Sequence, residues 1–151
     1  MTKDQNWIRQ KTQNPEMCKK CGGECCKRCG CAYFPEDLGE LSYEKLVELW
    51  KKGVAVIDCM SYRDGNFYKP LPEPIYYLRA PNVNEHGKMV ALKGMGPCYF
   101  LTEKGCKLSY DQRPSEGRYM VPFWSGCYTL YKEQEFIDLW NPYQDLLKSF
   151  L

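Results

Sequence analysis

Apolar residues recur at helical spacing in two parts of this chain, and the middle alternates as β-structure does. Ser42 stands as an N-cap ahead of Leu46, Val47, Leu49 and Trp50, and Gly53 follows as a stop, which predicts a helix between them. Pro35, followed by Glu36 and Asp37, predicts a short helix upstream, because the acids suit a helix N-terminus. From Tyr128 onward the pattern reads as helical. Thr129 is the expected cap, Phe136, Ile137 and Trp140 share a face, Pro142 interrupts, and Leu146, Leu147 and Phe150 resume the stripe. Between these helices, Val54 to Tyr62 reads as a strand with a turn at Asp64-Gly65. Pro70, Pro72 and Pro74 read as a stiff extended connector. Ile75 to Arg79 and Lys88 to Leu92 read as two more strands, joined through a polar loop containing Gly87. The polar residues 1–17 are expected to form a short lead-in or helix that Pro15 ends. The fold class is α+β: one small domain over 1–151, with a few antiparallel strands and a C-terminal helix.

Residues 18–34 fit neither period. Six of the chain's ten cysteines, Cys18, Cys21, Cys25, Cys26, Cys29 and Cys31, fall within fourteen residues there. No globular core requires thiols at that density, so the segment is built to be oxidised or to hold metal. The first residues carry no apolar run of a secretory signal, which leads us to expect a cytoplasmic, reducing setting. The adjacent pair Cys25-Cys26 also suits a disulfide framework poorly. Metal is the preferred reading.

Charge and composition change little else. The net charge is +2, and the lysines and arginines are spread along the chain, so no nucleic-acid footprint is expected. No apolar run approaches eighteen residues, so no membrane span is expected. Twelve Tyr and four Trp can cover a core short of aliphatics.

Cys18-x2-Cys21 has the spacing by which two thiolates in one turn grip a single ion. Gly22, Gly23 and Gly30 permit backbone amides to turn toward the sulfurs, and Lys19, Lys20, Lys27 and Arg28 read equally as a balance for thiolate charge or as a solvated loop. Downstream, Cys98 and Cys106 flank a Thr-Glu-Lys-Gly turn, and a hairpin there brings both sulfurs to one side. The expected metal site is therefore 18–34 with 98–106, and the ligand set is Cys18, Cys21, Cys25, Cys26, Cys29, Cys31, Cys98 and Cys106. The single histidine, His86, lies in a polar turn and is expected to be an exposed loop residue. Sulfur-only ligation favours zinc or an iron–sulfur cluster. Neighbouring side chains rarely point the same way, so Cys25 and Cys26 are expected to serve different metals or to bridge two. That suits one or two zinc ions; a lone 4Fe-4S cluster uses four cysteines and leaves four unexplained. Zinc is preferred, with iron or a 4Fe-4S cluster as the alternative. Cys59 reads as a small buried hydrophobe and Cys127 as a less clear case. Asp111, Arg113, Glu116 and Arg118 read as a surface turn whose ion pairs contribute little, although they offer an anion site.

Cys18-x2-Cys21-x3-Cys25-Cys26, Cys98 before Tyr-Phe-Leu, Gly105-Cys106-x-Leu and Arg113-Pro114 occur in an order that resembles the YkgJ-type cysteine-cluster family of zinc- or iron-chelating proteins. Cys31-Ala-Tyr-Phe-Pro-Glu-Asp-Leu is similar to an extension found in one branch of that family. The resemblance covers about 30 residues directly, spread over 18–118. Many members carry another cysteine just after the Arg-Pro, where this chain has Gly117 and then Arg118, so Cys29, Cys31 or Cys127 must replace it if it ligates. The resemblance implies metal chelation and no agreed reaction. Some relatives resemble a flagellin lysine N-methylase, but this chain shows no recognisable methyl-donor motif. The expectation is a metal-chelating protein acting as a structural module or as a carrier for a protein or small-molecule client. The alternative is an iron–sulfur protein with redox or methyltransferase-like activity.

Overall fold

The computed structural model describes residues 27–151 except 104, 124, 125 and 130. Cys18, Cys21, Cys25 and Cys26, and the expected lead-in over 1–17, lie outside the described residues. The rest is α+β, with three two-stranded antiparallel sheets and short helices among the described residues.

Helix α1, Tyr43–Lys52, begins and ends where its signals place it. Ser42 accepts a hydrogen bond from the Lys45 amide through its hydroxyl, an N-cap worth about 1 kcal/mol, and Gly53 takes φ 68° to close the last turn. Pro35–Leu38 is a 3-10 turn capped by Asp37, whose Oδ2 accepts from the Phe34 amide at 2.8 Å. Strands β1, Val56–Tyr62, and β2, Pro70–Arg79, pair antiparallel from Val56–Arg79 to Met60–Ile75, then shift register before Tyr62–Pro70. The proline connector is thus the first half of β2. Proline is tolerated there because, among the described residues, this half of β2 pairs with β1 alone, and an edge position requires no second ladder.

Two expectations are corrected. Lys88–Leu92 is not a ladder strand: Val90 makes one isolated parallel bridge to Ile57. Two backbone bonds make that bridge, Ile57 N to Met89 O and Ala91 N to Ile57 O, both at 2.9 Å, and side chains add to it. Arg79 Nη2 donates to the Ala91 carbonyl at 3.0 Å, and Asp58 Oδ1 accepts from the Lys93 amide at 2.6 Å. Likewise Tyr128 and Thr129 begin no helix; they belong to β6, Gly126–Thr129, paired with β5, Met120–Phe123. Helix α3, Glu133–Trp140, starts later, with Lys132 as its N-cap residue, and α4, Gln144–Lys148, follows the 3-10 turn at Asn141–Tyr143 that Pro142 imposes. Aromatic and β-branched residues at 120–129 suit strand pairing, which prevails over the helical stripe.

The main core lies between β1–β2 and the C-terminal helices, around Phe34, Ile57, Leu78, Phe136, Trp140 and Leu147. Gln144 is hydrogen-bonded to both the amide and the carbonyl of Tyr76, as a neighbouring strand would be. Trp140 Nε1 donates to the Tyr33 carbonyl at 3.0 Å, tying α3 to the strip that carries the last upstream cysteines.

Candidate metal centre

Residues 29–33 run as an extended strip along the end of β2. Tyr33 N donates to Leu78 O and Ala80 N to Cys31 O, both at 2.9 Å, and Ala32 bridges Arg79 antiparallel. On the other side of this segment, Asn82 bridges Cys98 antiparallel, with Val83 N donating to Pro97 O and Tyr99 N to Pro81 O. Residues 79–83 are thus the spine between the two cysteine regions, with Cys31 across from Ala80 and Cys98 across from Asn82. Close approach is required here: a Cβ at Gly30 would stand 2.0 Å from the Ala80 carbonyl oxygen.

The hairpin expected around Cys106 forms. Strands β3, Leu101–Thr102, and β4, Gly105–Cys106, pair with Leu101 opposite Cys106, and Gly105 takes φ 99°. Cys98 is buried with Ala80 and Phe100, and Cys106 packs against the same cluster.

Tyr33 lies within electrostatic range of three of the described thiols, Cys31, Cys98 and Cys106. Burial pushes its phenol well above the ordinary value, and negative charge at Cys98, Asp37, Cys31 or Cys106 acts in the same direction. The phenol therefore stays protonated and donates to the Val54 carbonyl at 2.9 Å. Cys29 sits apart from this trio. Its thiol donates to the Gly94 carbonyl at 3.7 Å, and burial raises its pKa against the lowering charge of Arg79.

The spine is anchored by Arg79, which is 1% exposed. It makes a bidentate pair with Glu85 at 2.7 and 3.0 Å, and its Nε donates to Asp58 Oδ2 at 2.7 Å. Bonds to the Ala80 and Ala91 carbonyls complete its donor set. Burial opposes the charge on Arg79, but Glu85 and Asp58 outweigh it and push the guanidinium pKa up. Sequence reading missed this network. Its signal was present, since Asp58 and Arg79 interrupt otherwise apolar strands, where a charge needs a partner.

Asn82 was missed as well. It is fully buried, its Oδ1 accepts from the Gly30 amide at 2.8 Å, and its own amide donates to Glu85 Oε1 at 2.9 Å. Its Nδ2 has no hydrogen-bond partner among the described residues.

The Arg113–Arg118 region is not a loose surface turn. Arg118 is buried in helix α2, Ser115–Arg118, and pairs with Asp37, which also accepts from the Ser115 hydroxyl and amide. That pair joins α2 to the 3-10 turn after Cys31, so the guanidinium expected to offer an anion site is held by a protein carboxylate. Glu116 accepts from the Tyr131 hydroxyl at 3.1 Å, and burial raises its carboxyl pKa. Gly117 faces Cys31: a Cβ built at 117 would lie 3.5 Å from the Cys31 sulfur.

Cys59 lies on β1 opposite Tyr76, and burial raises its thiol pKa. Cys127 lies opposite Pro122 in the β5–β6 ladder. The exposed His86 ring stacks on Tyr99, centroids 4.1 Å apart. Among the described residues, no three His, Cys, Asp or Glu side chains form a ready-made ligand group. Cys31, Cys98 and Cys106 nonetheless suit a soft, thiolate-held ion, and the spare buried Nδ2–H of Asn82 suits a sulfur-rich anionic centre. Among the described residues, no helix is long and apolar enough to cross a membrane. In comparison with known proteins, no family model matches the chain, and no curated protein or solved structure matches it significantly.

Proposed function

We propose that this protein chelates metal through clustered cysteine thiolates, with zinc as the ion, one or two per chain, in a reducing cytoplasmic setting. The observation that carries the reading is the flanking of one buried spine, Ala80–Asn82, by Cys31 on one side and Cys98 on the other. Cys106 joins them through the β3–β4 hairpin, and Cys29 with Cys18, Cys21, Cys25 and Cys26 supplies the remaining sulfurs of the proposed set. Cys31 takes the place of the cysteine that the YkgJ-type resemblance sets at Gly117. Zinc closed by four thiolates supplies folding energy and no redox chemistry. The role favoured is therefore a structural or interaction module, with metal delivery to a client as its variant.

Elemental analysis and a visible spectrum of anaerobically purified protein test this. Stoichiometric zinc without charge-transfer bands is the expected result. Iron with acid-labile sulfide replaces zinc with the iron–sulfur alternative and reopens redox or methyl-transfer chemistry. Reduced protein that binds no metal yet keeps its fold overturns chelation altogether.

A further inference from the structure

Asn82 occupies the joint between the two cysteine regions. Its Oδ1 holds the amide between Cys29 and Cys31, and its backbone bridges Cys98. Directly opposed residues of an antiparallel pair project to the same face with Cβ atoms about 5 Å apart. The Asn82 and Cys98 side chains therefore leave the backbone on the same face. The Gly30 bond fixes the amide orientation, because only the carboxamide oxygen can accept from an N–H. The Nδ2 group, with two donors, is left in a fully buried position with no partner among the described residues. An unpartnered buried donor is destabilising, and an apolar residue at 82 would avoid that.

A thiol is a weak acceptor, whereas a metal-bound thiolate keeps lone pairs and negative charge that an N–H donor stabilises. We propose that Asn82 is a positioning residue of the thiolate centre, donating Nδ2–H to the sulfur of Cys98 once that sulfur is metal-bound. The same side chain thereby sets the Cys29–Cys31 strip, the Cys98 backbone and the charge on a ligand sulfur. This inference rests on the chelation reading above and deepens it.

The test is nuclear magnetic resonance of the reduced, nitrogen-15-labelled full chain, metal-free and then loaded with zinc or cadmium-113, with bound metal measured first. Bound metal with downfield-shifted, exchange-protected Asn82 Nδ2 protons that couple to cadmium is the expected result. Bound metal with unchanged Asn82 side-chain signals overturns this inference and leaves chelation standing. Absence of bound metal overturns both.

Variants give a second measurement. Asn82→Asp keeps an oxygen for the Gly30 amide and removes the donors, whereas Asn82→Leu removes both. Each is expected to lower zinc affinity about 10- to 100-fold, the usual effect of losing a hydrogen bond to a metal ligand. Unchanged affinity in folded Asn82→Asp protein overturns the proposal; if neither variant folds, the wild-type spectra decide it.

Discussion

The Cβ of Cys31 and the position a Cβ would take at Gly117 are 3.8 Å apart, which is the separation found across a disulfide. Helix α2 therefore presents its one side-chain-free position directly to a candidate ligand. A thiol on the 29–33 strip thus stands beside the position that follows Arg113-Pro114. The arrangement also supplies a direct check. Gly117→Cys is expected to form a disulfide with Cys31 under mild oxidation, seen as the loss of two titratable thiols and a mass decrease of about two hydrogens. Failure to cross-link would show that α2 and the strip do not meet as described.

Cys98 and Cys59 provide a contrast. Cys98→Ser is expected to lower bound metal and loosen the region around residues 18–31, read by elemental analysis and by faster amide exchange there. Cys59→Ser, on β1 opposite Tyr76, is expected to leave metal content unchanged. Equal loss in both variants would mean that metal content reports general stability and not ligation.

Gly30 is the tightest point of the spine. In Gly30→Ala the new methyl meets the backbone oxygen of Ala80, which has no rotamer by which to move aside. A loss of about 1–3 kcal/mol or more is expected in urea unfolding, with a fall in metal affinity as the two cysteine regions separate.

Arg79→Met removes the cation shared by Asp58 and Glu85 and leaves two buried carboxylates without it. Breaking such a network typically costs about 3–5 kcal/mol. Unfolding measured at neutral pH is expected to show a drop of this size. A change below about 1 kcal/mol would mean that the network is far more solvated than its burial indicates.

The same network predicts an acid response. Burial tends to raise the Glu85 pKa, but its bonds from Arg79 and from the Asn82 amide outweigh this and hold it below the ordinary carboxylate value. A carboxylate depressed in the folded state contributes stability that is complete above its unfolded pKa, about 4.3, and is lost as pH falls through the folded value. Stability of the wild type is therefore expected to decline below about pH 5, and Glu85→Gln to flatten that decline. Identical pH profiles for the two proteins would exclude Glu85 as the source.

Local signals were sufficient where one residue decides a boundary. Ser42 and Gly53 delimit α1, Pro142 interrupts the C-terminal helices, and the Thr-Glu-Lys-Gly turn closes β3 on β4, because caps and turns act over a few bonds. The α+β class followed from the same punctuation, and the cysteine spacing alone picked out the candidate ligands. Only the tertiary structure decided what stands next to what. Met120–Phe123 and Gly126–Thr129 became a strand pair, and 88–92 was held by one bridge to Ile57 with Arg79 and Asp58 beside it, not by a ladder. Cys31 and Cys98 came to pair with opposite edges of Ala80–Asn82, and Gly117 came to face Cys31. These outcomes depend on partners tens of residues apart and on buried charges that must find each other, which no local period encodes.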